Sequence, residues 1–461
     1  MRPTYRASIS IFCSASQRLA MHQYKPAIDG VELWSRRVLL ALYQAARGLS
    51  LLSSSLGVER EQLQLRPPRQ QCNRLLIILW RAILVSIYWN MIPEIFNTVK
   101  STQTYAALIV LLQSSSVSLF AVGSFIMQVR AESRFTAVLN HYISLYGRIR
   151  VLTGAEHLFT LKFPILYALK LILTLCGFLY ELPQLLPLRY ILHMDVGHVI
   201  GGLIAIYLWL GTIFLLDACF LGFFVSGVLY EHMGSHIAIM LQQMRSVDMD
   251  GQEQSSDDES EPYLNSYENI SSVPSRLSHY RRMCLLCDRA DELDACGVIY
   301  SELYRVTLSF RDIFQWQILF YIYYNLIVLL IMLYEYIVNY LEGTQGEMVP
   351  VVMTCIKMAN IVLLIMCADY MIKKSEMPQL LPLDIVCTDI DQRWDKSVES
   401  FLNQLRAQQL EVKVVGILQL DNRFIPTILS AIVTYLFILI QFAFTGGFEV
   451  AEEIARLNIT S

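Results

Sequence analysis

Residues 199–229, which read VIGGLIAIYLWLGTIFLLDACFLGFFVSGVL, decide the fold. The run carries a single charged side chain, Asp217. A bilayer core of ~30 Å needs ~20 apolar residues in a helix. The run is too long and too uniformly apolar for a strand of a membrane barrel. It therefore predicts a transmembrane helix that tilts or continues past the bilayer.

The rest of the chain repeats this pattern. Apolar residues make up 55% of the 461 residues and charged residues 16%, whereas a soluble domain has about 25% charged residues. The net charge of −4 provides no basic field for nucleic acid. We expect an all-α polytopic membrane protein whose surroundings are the lipid bilayer. Its seven predicted spans are Leu75–Phe96, Thr104–Gln128, Phe163–Leu182, Val199–Leu229, Ile313–Tyr340, Met348–Ile372 and Phe424–Phe448.

The distribution of Lys and Arg predicts the orientation. Of the 36 such residues, 30 lie in the N-terminal segment and the alternate connections that share its side. Because cytosolic connections carry the excess of Lys and Arg, the N-terminus should be cytosolic and the C-terminus extracellular. The predicted order is a cytosolic segment over 1–73, six helices over 74–372, a cytosolic anchor region over 373–423, a seventh helix over 424–448 and an extracellular tail over 449–461.

The cytosolic segments show three further patterns. Leu39–Leu52 predicts an amphipathic helix, because basic residues interrupt its apolar run. Cys284–Phe310 predicts a helix that runs into span five. Residues 246–275 hold eight acids and no Lys or Arg, which predicts a disordered acidic loop.

An enzyme is not expected. The chain has no Gly-rich phosphate loop and no HExxH or GxSxG motif. Cys284 and Cys287 lack the second pair that a zinc site needs. We therefore predict no catalytic residue, no metal site and no cofactor.

Charged and aromatic residues inside the spans provide candidate sites, since a charge in lipid is costly unless it is paired or hydrated. Lys170 and Asp217 lie at similar depth, and a structural ion pair is favoured over an ion pathway. In the outer halves of spans four to six, a ligand pocket and an interfacial aromatic belt are equally compatible with the pattern. The pocket residues would be Trp209, Tyr323, Tyr324, Glu335 and Lys357.

Two helical stripes have patterns that do not decide which surface they contact. One precedes span seven and could pack within the chain or form an assembly core between subunits; it consists of Val398, Phe401, Leu402 and Leu405. The other lies on span seven and could pack against neighbouring helices or line a hydrated pore. It consists of Thr427, Ala431, Thr434, Ile438, Gln441 and Thr445.

The end of the chain resembles the signature of the insect gustatory receptors, which is Thr-Tyr, five hydrophobic residues and Gln-Phe. Residues 434–442 read TYLFILIQF, and the lead-in GILQLDN over 416–422 is also similar to that family. This resemblance implies a ligand-gated cation channel related to insect odorant receptors. It implies a homo- or heterotetramer with related subunits, a small organic tastant, and a location in the plasma membrane of sensory neurons.

The resemblance also assigns roles along span seven. The final helix of each subunit would line the pore, with an apolar gate at Ile438. The remaining pore residues would be Thr434, Gln441, Phe442 and Thr445. Tyr435 lies off this stripe and should pack against its own subunit. The sequon at Asn458 is a candidate glycosylation site beyond the helix.

Leu436 departs from the Thr-Tyr-Glu that many sugar receptors of the family carry. The resemblance thus favours a receptor for bitter, aversive or pheromone-like compounds over a sugar-sensing member. A G-protein-coupled receptor is the alternative from another class. The cytosolic N-terminus and the absence of the Asp-Arg-Tyr and Asn-Pro-x-x-Tyr motifs disfavour it.

Overall fold

The computed structural model describes residues 30–49, 51–52, 54–59, 62–66, 71–99, 104–155, 158–185, 196–256, 272–341, 348–376, 378 and 392–459. These residues form nine helices and two short hairpins. The helices are α1 (Gly30–Gly48), α2 (Gln71–Val99), α3 (Thr104–Thr153), α4 (Lys162–Leu185), α5 (Val196–Ser256), α6 (Ser272–Leu341), α7 (Val349–Glu376), α8 (Gln392–Ala407) and α9 (Phe424–Ile459). The hairpin strands are β1 (Ser55–Glu59), β2 (Gln62–Arg66), β3 (Lys413–Val414) and β4 (Leu418–Gln419).

The helices coincide with the predicted spans. Each span lies within a helix of the described chain, except that α7 begins one residue after Met348. Five helical segments of the described residues are long and apolar enough to cross a membrane. These segments are Lys162–Tyr180, Val199–Gln242, Met283–Tyr334, Val349–Glu376 and Phe424–Gln441. The predicted all-α polytopic fold class is confirmed.

Three helices extend far beyond a bilayer. Helix α3 has 50 residues, α5 has 61 and α6 has 70, which at 1.5 Å per residue is about 75, 92 and 105 Å. The helix predicted over Cys284–Phe310 is confirmed as part of α6. We call the packed outer parts of these helices, over 129–153, 230–242 and 283–312, together with α8, the extension bundle.

Disorder was predicted for all of 246–275, and this is wrong at both ends. Helix α5 continues to Ser256, and α6 begins at Ser272; residues 257–271 lie outside the described residues. Extending an existing helix requires fixing one residue at a time, at little cost in free energy. Pro274 lies in the first turn of α6, where its missing N–H removes no helical hydrogen bond.

Two glycines allow α5 to approach its neighbours closely. A Cβ added at Gly222 would lie 2.0 Å from the Phe310 ring of α6, and one at Gly227 would lie 2.5 Å from the Tyr370 ring of α7. Such distances are far inside van der Waals contact. The main apolar core of the described residues forms around these contacts, between α3, α5, α6, α7 and α8.

The hairpins are the elements that the sequence analysis missed. Strands β1 and β2 pair antiparallel. The side-chain amide of Asn140 on α3 holds β2: Leu65 N donates to Asn140 Oδ1 at 2.8 Å, and Asn140 Nδ2 donates to Leu65 O at 2.9 Å. Strands β3 and β4 flank a turn in which Val415 has φ of 52° and Gly416 has φ of 70°. After β4, the short segment Leu420–Arg423 leads into α9.

The amphipathic segment near the N-terminus ends earlier than predicted. Helix α1 stops at Gly48, a residue type that ends helices readily, and not at Leu52. Leu51 and Leu52 are nevertheless buried. Tyr43 of α1 donates a hydrogen bond of 2.7 Å to the carbonyl of Ser54, which fixes the chain beyond the helix.

Candidate functional site

Helices α2, α5 and α6 enclose a second apolar cluster, separate from the main core. Its buried members are Leu84, Tyr88, Ile204, Ala205, Leu208, Trp209, Tyr324, Val328 and Met332. We call it the aromatic cluster. Partly buried side chains from α4 and α7 surround it, so five helices meet at this point.

One cation lies against the aromatic cluster. The Trp209 and Tyr324 rings meet edge to face with centroids 5.6 Å apart. Lys357 Nζ of α7 lies 5.5 Å from the centroid of the Tyr324 ring, within the range of a cation–π contact. All three residues are only 6% exposed.

The structure therefore brings together three of the five residues predicted to bind ligand. Tyr323 does not join them, because its side chain points away from the cluster and is 64% exposed. Glu335 lies on α6, but its side chain lies outside the described residues. What the cluster offers a ligand is aromatic surface and one ammonium group.

A polar network lies beside these helices and contains the predicted ion pair. Lys170 Nζ lies 3.3 Å from Asp217 Oδ1 and donates hydrogen bonds to Asn360 Oδ1 (2.9 Å) and Thr174 Oγ1 (3.1 Å). Thr174 Oγ1 donates to Asp217 Oδ1 at 3.3 Å. The sequence analysis missed Asn360, which adds α7 to the link between α4 and α5.

A second carboxylate on α7 reaches the start of α9. Asp369 accepts hydrogen bonds from Asn422 N (3.2 Å) and Asn422 Nδ2 (2.7 Å), and pairs with Lys373 Nζ at 2.7 Å. Asn422 lies in the turn just before Phe424, where α9 begins. The sequence analysis overlooked Asp369, although an acid within span six is the same type of signal that identified Asp217.

Helix α9 is the most exposed of the five apolar segments. In its apolar stretch 11% of the residues are buried, compared with 44% in α7 and 47% in α5. Among its described side chains, over 424–441, Ile428 and Ile432 are buried and face the chain. Of the predicted pore residues, Thr434, Ile438 and Gln441 are exposed.

The other predictions on α9 have different outcomes. The side chains of Phe442, Thr445 and Asn458 lie outside the described residues. Helix α9 continues to Ile459, so most of the predicted tail over 449–461 is helical. The prediction that Tyr435 packs against its own subunit is wrong, because its side chain is 57% exposed. It lies on the same helical face as Ile428 and Ile432, but Ile432 is the last buried side chain among the described residues of α9.

The apolar stripe of α8 packs within the chain. Val398, Phe401 and Leu405 are buried, and Leu402 is half-buried. The Phe401 ring meets the Tyr300 ring of α6 edge to face, at 6.3 Å. Of the two alternatives that the sequence left open, these contacts show packing within one chain, so this stripe is not the exposed surface that an assembly core would need.

Side-chain hydrogen bonds fix the extension bundle. Gln404 Nε2 donates to the Gly297 carbonyl at 2.7 Å and ties α8 to α6. The hydroxyls of Tyr142 and Ser226 lie 2.7 Å apart and tie α3 to α5. Burial raises the pKa of Tyr142 to about 12, so its phenol stays neutral. Within the described residues, no group of three His, Cys, Asp or Glu side chains could hold a metal ion.

Comparisons with known proteins agree with this geometry. A family model described as "7tm Chemosensory receptor" matches residues 39–446. The "Gustatory receptor for bitter taste 93a" of Drosophila melanogaster is 51% identical over 427 residues, which cover 92% of this chain and 96% of the relative. The "Putative gustatory receptor 93b" of the same organism is 24% identical over 240 residues, which cover 51% of this chain and 53% of the relative.

Solved structures show the same fold. The insect olfactory receptor OR5 from Machilis hrabei matches with a TM-score of 0.58 at 9% identity, over 89% of this chain and 99% of that chain. Its complex with eugenol matches with a TM-score of 0.51 at 9% identity, over 88% of this chain and 98% of that chain.

Proposed function

The chain belongs to the 7tm chemosensory receptor family, and on this premise we propose that it is a ligand-gated, non-selective cation channel that detects bitter or aversive small organic compounds. The membership confirms the resemblance to insect gustatory receptors, and a receptor of this family is not an enzyme. The bitter-taste name of the 51% identical relative and Leu436 in the signature support a bitter ligand over a sugar.

The exposure of α9 carries the channel proposal. Its stripe of Thr434, Ile438 and Gln441 lies on the open face of the chain, although polar side chains that face lipid are unfavourable. Four copies around one axis would place these stripes on a shared aqueous path. The buried Ile428 and Ile432 would keep each helix attached to its own subunit.

The gate would be a ring of Ile438 side chains. An apolar constriction closes a pore by excluding water and needs no charge. Gln441, about one turn along the same face, would offer its amide oxygen to a partly dehydrated cation. Phe442 and Thr445 would complete the pore-lining set on this helix.

The aromatic cluster would be the ligand site. Trp209 and Tyr324 supply flat apolar surface, and Lys357 supplies one hydrogen-bonding cation. These groups suit an aromatic organic molecule with a hydrogen-bond acceptor. A cationic ligand would have to displace the Lys357 ammonium group from the Tyr324 face, unless Glu335 also reached the site.

The polar network and the Asp369–Asn422 contact would connect ligand site and gate. Helix α7 carries Lys357 at the cluster, Asn360 in the network and Asp369 at the start of α9. A ligand that displaces α7 would thus act on the pore helix directly. We place the N-terminus in the cytosol and the receptor in the plasma membrane of taste neurons, alone or with related subunits.

Patch-clamp recording tests the proposal. Cells expressing the chain, alone and with related receptor subunits, would be exposed to bitter alkaloids, to sugars and to buffer. We expect a cation current with alkaloids that persists when GDP-β-S in the pipette blocks G proteins. A response abolished by GDP-β-S would refute the channel and favour a G-protein-coupled receptor.

Antibody access to a terminal tag tests the orientation separately. An N-terminal tag should be labelled only after the cells are permeabilised, and a C-terminal tag without permeabilisation. The reverse pattern would refute the proposed topology.

A further inference from the structure

A groove of about 730 Å³ runs between α3 and α6, outside the aromatic cluster and the pore face. One end is basic and is lined by Arg130, Arg134 and Arg305, all exposed. The other end is apolar and includes Ile126 and Trp316, which are 47% and 52% exposed. We call it the cationic groove.

The charge in this groove is available to a ligand. In the part of the chain that the structure describes, no carboxylate pairs with Arg130, Arg134 or Arg305. The acid that lines the groove, Asp312, already accepts from Arg311 Nη2 at 2.8 Å. Among the described residues, these three guanidinium groups thus line the groove without an ion-pair partner within 4.0 Å.

The position of the groove relative to the spans indicates what it holds. Arg130 and Arg134 follow span two, and Arg305 precedes span five, so the three lie about 3, 9 and 12 Å beyond the span ends on the predicted cytosolic side, at 1.5 Å per residue. The apolar end lies within the spans and extends toward the bilayer centre. A molecule that fills the groove must carry negative charge at the membrane surface and hydrocarbon below it.

We propose that the cationic groove binds an anionic phospholipid of the cytosolic leaflet, with its phosphate against the arginines and an acyl chain along Trp316 and Ile126. Basic pockets between transmembrane helices recognise anionic headgroups by charge, and guanidinium groups match phosphate oxygens with paired hydrogen bonds. The proposal goes beyond the channel function and depends only on the orientation given above.

Native mass spectrometry of the purified full chain tests it. Delipidated receptor is titrated with dioleoyl phosphatidylserine or dioleoyl phosphatidylcholine, and Kd is obtained from the adduct intensities. The test variant is Arg134→Gln/Arg305→Gln. The matched control is Lys396→Gln/Arg406→Gln, which removes the same charge from the exposed surface of α8.

We expect phosphatidylserine to bind more tightly than phosphatidylcholine, and the groove variant to weaken it roughly 10- to 30-fold, from about fivefold per cation near a membrane surface. The control should bind like the wild type. Equal binding of the two lipids, an unchanged groove variant, or the same loss in both variants would overturn the proposal. If the groove variant loses oligomers but still binds the lipid, the groove would be an interface with a second copy of the chain, which would also overturn the proposal.

The apolar end has its own test. A Cβ added at Gly123, which lines the groove, meets no atom within 4 Å, so Gly123→Phe should fill the groove without disturbing the helix. We expect it to weaken phosphatidylserine at least tenfold, and glycerophosphoserine, which lacks acyl chains, to bind wild type at least tenfold more weakly than the lipid. If either loss of affinity is not observed, the proposal of lipid binding is overturned. Because this readout uses no current, it is independent of whether the chain conducts.

Discussion

Removing either charge of the Lys170–Asp217 pair should destabilise the chain strongly. The Lys170 side chain is 4% exposed and that of Asp217 is 11% exposed, so neither group can exchange its partner for water. Breaking a buried pair by removing one partner costs about 3–5 kcal/mol, because the remaining charge stays buried and uncompensated. We expect Lys170→Met and Asp217→Leu each to lower the stability by this amount.

Removing both charges should cost less than the sum of the two single changes. Lys170→Met/Asp217→Leu leaves no buried charge, and the remaining penalty is the lost hydrogen bonds of Asn360 and Thr174, about 1–3 kcal/mol each. The double variant should therefore be more stable than additivity predicts by about 0.5–3 kcal/mol, the usual range for contacting residues.

Thermal unfolding in lipid nanodiscs measures these differences. An unfolding entropy of ~2.1 cal/mol/K per residue gives roughly 1 kcal/mol/K for this chain, so each single variant should lose about 3–5 °C in Tm. A thiol-reactive dye is a suitable probe, because Cys219 and Cys367 are buried and become accessible on unfolding. Cys284, outside the spans, is exposed and gives a constant background.

Lys396→Met on the exposed face of α8 serves as the control and should leave Tm unchanged. Strict additivity of the two single variants would refute coupling between Lys170 and Asp217. Unchanged Tm values together with an altered ion permeability would instead support the ion-pathway role.

The pore, the extension bundle and the ligand site provide further predictions. Ile438→Ala should raise ligand-independent current because it widens the apolar ring, and Gln441→Ala should change conductance or cation preference; patch clamp measures both. Phe401→Asp/Leu405→Asp should prevent folding of the subunit itself, since two unpaired charges would be buried at several kcal/mol; surface expression and native mass spectrometry measure the loss. Lys357→Met should weaken the ligand dose-response roughly 10- to 150-fold at unchanged surface expression, because the ligand would lose a hydrogen bond from a charged group, worth about 1.5–3 kcal/mol.

Each of these has a control on the same element. Leu429→Ala changes an exposed residue of α9 off the pore stripe and should leave currents unchanged. Asn403 lies on the polar face of α8, and the Asn403→Asp variant should fold normally. Tyr323→Ala lies outside the aromatic cluster and should not shift the dose-response.

Contrary outcomes are equally specific. Wild-type currents in both pore variants would mean that another face of α9 lines the pore. If the α8 double variant folds but stays monomeric, the apolar stripe of α8 would form part of the subunit interface. If Lys357→Met reduces surface expression and leaves the dose-response normal, Lys357 stabilises the fold and does not bind the ligand.

The spans and the family could be predicted from the sequence because both depend on local patterns. An apolar run such as Val199–Leu229 allows one backbone structure in lipid, and residues 434–442 carry the family signature within one helix. The burial of Phe401 could not be predicted, since an amphipathic helix has the same pattern whether it covers its own chain or another.

The polar contacts were harder to predict because their partners are far apart in sequence. Asn360 lies 190 residues after Lys170. The local sequence around a single amide in an apolar helix does not indicate which residue it will contact. The turn at Val415 could not be predicted for a different reason. A positive φ is rare for a β-branched residue, and here the Val415 N–H donates to Gln315 Oε1 of α6 at 3.2 Å, a long-range contact that no local pattern reveals.

The continuity of α7 has a consequence for timing. Twelve residues, about 18 Å at 1.5 Å each, separate Lys357 at the aromatic cluster from Asp369 beneath α9, and the helix is unbroken between them. An intact helix resists stretching, so a displacement along its axis reaches both ends at once. We therefore expect no long-lived intermediate in which the outer site has rearranged while the start of α9 has not, and a concentration jump of ligand should open the current in a single exponential phase.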